Sequence, residues 1–112
     1  MKKIFFILFL TIATLLSCTH LDIEKGTPRC VKNKIKDFDK SSCETGANVK
    51  EYLFQNETVF VFDPGTCGAD MTSEVIDDNC NTLGYLGGIS GNTKINGEEF
   101  SNAVFQKVVW KK

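Results

Sequence analysis

Tyr52-Leu53-Phe54-Gln55-Asn56-Glu57-Thr58-Val59-Phe60-Val61-Phe62-Asp63-Pro64-Gly65-Thr66-Cys67 decides the fold. Outside the N-terminus no other stretch is as dense in β-branched and aromatic residues, and Asn56 and Pro64-Gly65 punctuate it. It reads as a hairpin with its turn at Asn56-Glu57. Val59 and Val61 fall on one face of the second arm, Phe60 and Phe62 on the other. An arm apolar on both faces belongs inside a sheet covered on both sides. The first arm, Ala47–Phe54, alternates Val49, Glu51 and Leu53 against Lys50, Tyr52 and Phe54.

Upstream, Thr27-Pro28 offers a capping hydroxyl and a proline at the first helical position. Val31, Ile35 and Phe38 then recur at helical spacing, which predicts a helix over about 28–40. Lys32, Lys36 and Lys40 form a second stripe, either a solvated face or a contact with anionic headgroups. Downstream, Ser73–Asp77 reads as a third strand and Val104–Trp110 as a last one. Gly84, Gly87, Gly88, Gly91 and Gly97 mark a glycine-rich loop around Tyr85-Leu86, with one helical turn at Glu98–Ala103. The expected fold is α+β: an N-terminal helix packed on a small antiparallel β-meander, stapled by disulfides.

The first residues read as a processing signal. Lys2-Lys3 precede an apolar run, Ile4–Leu16, that falls short of the roughly 20 residues needed to span a bilayer. It ends in Leu15-Leu16-Ser17-Cys18, which resembles the lipobox of bacterial lipoproteins. That implies cleavage after residue 17 and a lipid, palmitate included, on Cys18. The division is a signal peptide at 1–17, a polar tether at 18–27 and one small domain at 28–112. The membrane is then a partner through the lipid on Cys18. The expected location is the cell envelope, at the outer membrane.

Five cysteines leave an odd one, which lipidation of Cys18 would explain. Cys30, Cys43, Cys67 and Cys80 remain, an even set for an oxidising compartment. In a meander, the helix C-terminus with Cys43 and the end of the second strand with Cys67 lie at one end. Cys30 and Cys80 lie at the other. A helix rising about 1.5 Å per residue leaves few residues for Cys30 to return to Cys43. Cys43–Cys67 with Cys30–Cys80 is therefore favoured over Cys30–Cys43 with Cys67–Cys80.

Without Lys2 and Lys3 the chain keeps 11 basic against 14 acidic side chains, a formal charge of −3. Seven basic residues lie between Lys25 and Lys50, while Lys94 alone faces nine acids between Glu51 and Glu99. That distribution excludes a nucleic-acid partner. His20, the only histidine, lies in the tether, so the domain lacks the usual general base and a Ser-His-Asp set. The doublets Asp77/Asp78 and Glu98/Glu99 make poor acid–base pairs, because adjacent side chains diverge. Asp63, Asp70 and Glu74 offer oxygen ligands that suit calcium, but their spacing matches no calcium loop. No enzyme activity, metal or cofactor is expected. Tyr85 and Leu86, rimmed by Asp77 and Asp78, are the candidate contact site for a protein partner.

Several motifs carry a resemblance: Cys30-Val31, Val59-Phe60-Val61-Phe62, Pro64-Gly65-x-Cys67-x-x-Asp70, Val75-x-Asp77-x-x-Cys80-Asn81, Leu86-Gly87-Gly88-x-x-Gly91-Asn92, Asn96-Gly97-x-x-Phe100 and Trp110. Over residues 28–111 the chain resembles a family of small Bacteroidota lipoproteins carrying a domain of unknown function. The resemblance implies no activity and supplies no site. The expected function is a non-catalytic binding module of the cell envelope; the alternative is a periplasmic hydrolase inhibitor or immunity protein.

Overall fold

The computed structural model describes residues 21–112. The signal segment, Cys18 and His20 lie outside the described residues. One helix, α1 (Arg29–Ser41), is followed by β1 (Asn48–Phe54), β2 (Glu57–Asp63), β3 (Thr72–Asp77), β4 (Thr82–Gly87), β5 (Lys94–Ile95), β6 (Glu98–Glu99) and β7 (Val104–Lys111). A 3-10 turn, Phe100–Asn102, precedes β7. Five strands form one antiparallel sheet in the order β4-β3-β2-β1-β7, and β5 and β6 form a separate hairpin. The chain is mostly β. It departs from a plain meander because β7 crosses back to the free side of β1.

Strand β2 lies at the centre, and the alternation of its side chains explains why. Phe60 and Phe62 enter a cluster with Val31 and Ile35 of α1, Val49, Ile76, Val109 and Trp110. Phe38 meets Phe62 edge-on at 5.2 Å and Trp110 at 6.1 Å. Val59 points the other way, into a cluster with Phe54, Val75 and Ile95. Each fully buried side chain of this size contributes roughly 1.5–3 kcal/mol.

Several local details differ from expectation. The β1–β2 turn is Gln55-Asn56, both at positive φ (51° and 63°), since Phe54 pairs with Glu57. Two central residues at positive φ match the twist of the flanking strands. Thr27 does not cap α1: its Oγ1 donates to the Glu24 carbonyl at 2.6 Å, and Pro28 takes the cap position. Leu53 shares its face of β1 with buried Val49, yet it is 44% exposed.

The helix is also not the N-terminal element of the fold. Leu21 and Ile23, within the segment read as a tether, pack against the α1-side cluster, and the Glu24 N–H donates to the Val109 carbonyl at 2.9 Å. Between them the chain makes a tight turn, with the Ile23 N–H donating to the Leu21 carbonyl at 3.1 Å. Among the described residues no helix is long and apolar enough to cross a membrane.

Two disulfides hold α1 at both ends. Cys30 joins Cys80 in the β3–β4 turn, with Cα atoms 6.1 Å apart. Cys43, just past the helix, joins Cys67 in the loop after β2, at 5.6 Å. Gly65 lets that loop close: a Cβ there would stand 2.7 Å from the Thr45 carbonyl oxygen and 2.9 Å from Cys43 Cβ, at φ +95°.

Candidate interaction surface

Both outer strands of the sheet, β4 and β7, have one side without a strand neighbour. An unpaired strand edge is a template for another chain unless something covers it.

The β4 edge is covered. The Gly87 and Asn92 backbones exchange two hydrogen bonds, at 2.9 and 3.1 Å. The Asn92 side-chain amide also donates to the Tyr85 carbonyl at 2.6 Å and to the Lys94 carbonyl at 2.9 Å. The β5–β6 hairpin packs over the sheet face beside this edge: Ile95, only 1% exposed, joins Phe54, Val59 and Val75, and its Cδ1 is 3.0 Å from where a Gly84 Cβ would be. Asn96 (φ 50°) and Gly97 (φ 77°) form the hairpin turn. Asn-Gly is a strong hairpin signal, and it was there to be read inside what looked like one long glycine loop.

The β7 edge, among the described residues, is open over most of its length. Among the described residues its outward contacts are the Glu24 N–H on the Val109 carbonyl and the Gln106 side-chain amide on the Val104 carbonyl, at 3.2 Å. Val104, Phe105 and Val108 are 58%, 52% and 41% exposed. Val104 pairs across the ladder with exposed Leu53, and Phe105 with Tyr52. Tyr52 stacks edge-on against Phe105 at 5.7 Å and against Phe100 at 5.2 Å. From there an apolar groove of about 470 Å³ runs between Tyr52, Leu86, Phe100 and Ala103, with Asn92, Thr93, Glu99 and Ser101 at its polar margin.

The residues singled out from sequence do not come together as one patch. Tyr85-Leu86 is part of strand β4, so the two side chains leave opposite faces. Tyr85 is 52% exposed, while Leu86 packs against the second core cluster and lines the groove. Glycines at 84 and 87 disguised this strand as a loop. Asp77 organises the β3–β4 turn, with Oδ1 accepting from the Asn79 and Asn81 N–H groups at 3.0 and 2.8 Å and Oδ2 from the Asn81 amide at 3.1 Å. Desolvation pushes its pKa up, but these hydrogen bonds outweigh it and hold the carboxyl below the ordinary value. Asp78 is exposed beside it.

The acidic residues considered for calcium are also separated. Asp63 Oδ1 accepts from the Gly65 N–H at 2.9 Å, whereas Glu74 pairs with Lys34 at 3.0 Å and accepts from the Thr82 hydroxyl at 2.6 Å. Among the described residues no three His, Cys, Asp or Glu side chains gather as a metal site.

Comparison with known families matches residues 34–112 to the domain of unknown function DUF6970. The chain belongs to that family. The matched span runs from the middle of α1 through β7, so the sheet, the Asn92 closure and the open edge all lie in the DUF6970 domain. Cys30 and the Leu21–Gly26 segment precede it. No curated protein and no solved structure matches the chain.

Proposed function

We propose that this DUF6970 protein is a non-catalytic binding module of the cell envelope, held at the outer membrane by lipid on Cys18, in the manner of the Bacteroidota lipoproteins it resembles. Its contact surface is the open β7 edge, where a partner protein adds an extended segment as a sixth strand. One observation carries the reading: among the described residues, β7 combines an edge free of strand pairing with exposed Val104, Phe105 and Val108. Strand addition draws its affinity from backbone hydrogen bonds and its specificity from alternate side chains, and both features coincide here. The aromatic groove at Tyr52 and Phe100 would receive a side chain of the incoming strand.

The proposal replaces Tyr85, Leu86, Asp77 and Asp78 as the contact site, because Leu86 is committed to packing and Asp77 to its turn. The inhibitor or immunity alternative rests on a loop presented between two disulfides, whereas these bridges tie the two ends of α1. The non-catalytic part is supported by the sequence of residues 21–112, which has no histidine, and by the way the turn and the ion pair engage Asp77 and Glu74.

The test compares the lipidated wild type with Val104→Lys/Phe105→Lys in cross-linking capture from the envelope. The reading predicts loss of the captured partner with an unchanged melting temperature. Capture that survives the double substitution would remove the β7 edge from the account.

A further inference from the structure

The described residues begin three positions after Cys18, and the first of them are already part of the fold. Leu21 and Ile23 pack against the α1-side core, and Glu24 is hydrogen-bonded to β7. Three residues span at most about 10 Å however they are arranged. A lipid on Cys18 would thus hold the domain against the bilayer rather than on a free tether. The distance is comparable to the Debye length of about 8–10 Å at physiological salt, so charges beside Leu21 would feel the headgroups.

Those charges are mostly positive. Lys25, Lys32 and Lys36 line one cleft with Leu21 and Ile23, opposed there by Asp22 and Glu24. Lys36 and Lys25 are exposed, and Lys40 continues the stripe on α1. Among the described residues the ion pairs of this region involve Lys34, with Glu74, and Lys112, with Asp39, leaving the three cleft lysines free of carboxylate partners.

We infer that the anchored domain rests on the membrane by this base, with Lys25, Lys32 and Lys36 facing anionic phospholipid headgroups. The inference rests on the lipid-anchor reading. It also orients the molecule. Glu24 meets β7 at Val109, and Val104 lies five residues along the strand, about 16 Å away. The base then faces lipid while the Val104–Phe105 end projects from the surface, where a partner can reach it.

The test uses the full lipidated chain in phosphatidylglycerol-containing vesicles, in phosphatidylcholine vesicles and in detergent micelles, with lysine acetylation rates read by mass spectrometry. Lys25, Lys32 and Lys36 should react at least about threefold more slowly on the anionic vesicles than in micelles. Lys94, on the β5–β6 hairpin, should react alike in all three. Equal rates for the cleft lysines on vesicles and in micelles would overturn the inference. So would equal protection on neutral and anionic vesicles, which would contradict the role of headgroup charge. A chain that fails to float with the vesicles after a high-salt wash would instead overturn the anchor reading, and the inference with it.

Discussion

The two edges of the sheet are built from similar material and finished differently. Strand β4 is flanked by glycines and intrinsically weak, yet the backbone and side-chain amide of Asn92 pair with its outer side at Gly87 and Tyr85. Strand β7 is longer, eight residues against six, and richer in valine and phenylalanine, yet among the described residues most of its outer side is uncovered. Natural sheets usually blunt a long apolar edge with lysines and bulges, and β7 has Lys107, Lys111 and two register shifts against β1, leaving Val104, Phe105 and Val108 as its exposed apolar positions. The proposal that β7 receives a partner strand rests on this contrast within one small domain.

The comparison can be broken or sharpened at several points. The largest effect should come from reducing both disulfides, which hold α1 on the sheet at both of its ends. Each should contribute about 2–4 kcal/mol, so reduction should lower the melting temperature steeply. An unchanged melting curve after reduction would show that the helix layer does not depend on them.

Next is Ile95→Ala, which removes the buried plug of the hairpin covering β4. A cost of about 2–4 kcal/mol is expected, read by chemical denaturation, with faster amide exchange confined to β4. Asn92→Ala should cost less, about 1 kcal/mol, because its two side-chain hydrogen bonds are exposed. That variant should nonetheless raise self-association, by leaving a second edge open. Val104→Lys/Phe105→Lys should change stability by no more than about 0.5 kcal/mol, because the native side chains are half-exposed.

The smallest effect concerns pH. The Asp77 carboxyl titrates below its ordinary value in the folded chain. A depressed folded pKa means that its stabilisation is complete above the ordinary carboxylate range and is lost as pH falls through the lowered pKa. Melting scans from neutral to strongly acidic pH should show a shallower acid-side decline in Asp77→Asn than in the wild type.

Much of the layout was legible because its signals are local. The Val31, Ile35, Phe38 stripe needs only helical spacing, and the two-sided apolar arm at Val59–Phe62 needs only strand alternation. The cysteine pairing followed from α1 acting as a rigid spacer between Cys30 and Cys43. What stayed hidden depends on distant partners. Leu53 looks like core by alternation, but its neighbour across the ladder is the exposed end of β7. Gly84 reads as a loop residue until Ile95 is seen to occupy the space its side chain would fill. Leu21 and Ile23 form too short a pattern to betray docking. The β7 edge was the least legible of all, since it exists only because β7 returns to β1, a pairing separated by some 50 residues of chain.

Amide hydrogen exchange on the cross-linked complex, set against the isolated chain, tests the central claim most directly. In the isolated chain the outward amides of Val104–Val108 should exchange quickly and those of β4 slowly. In the complex, β7 should slow by at least about tenfold while β4 is unchanged, as expected when a strand adds to one edge. A complex that leaves β7 exchange unaltered, or protects β4 instead, would contradict the account.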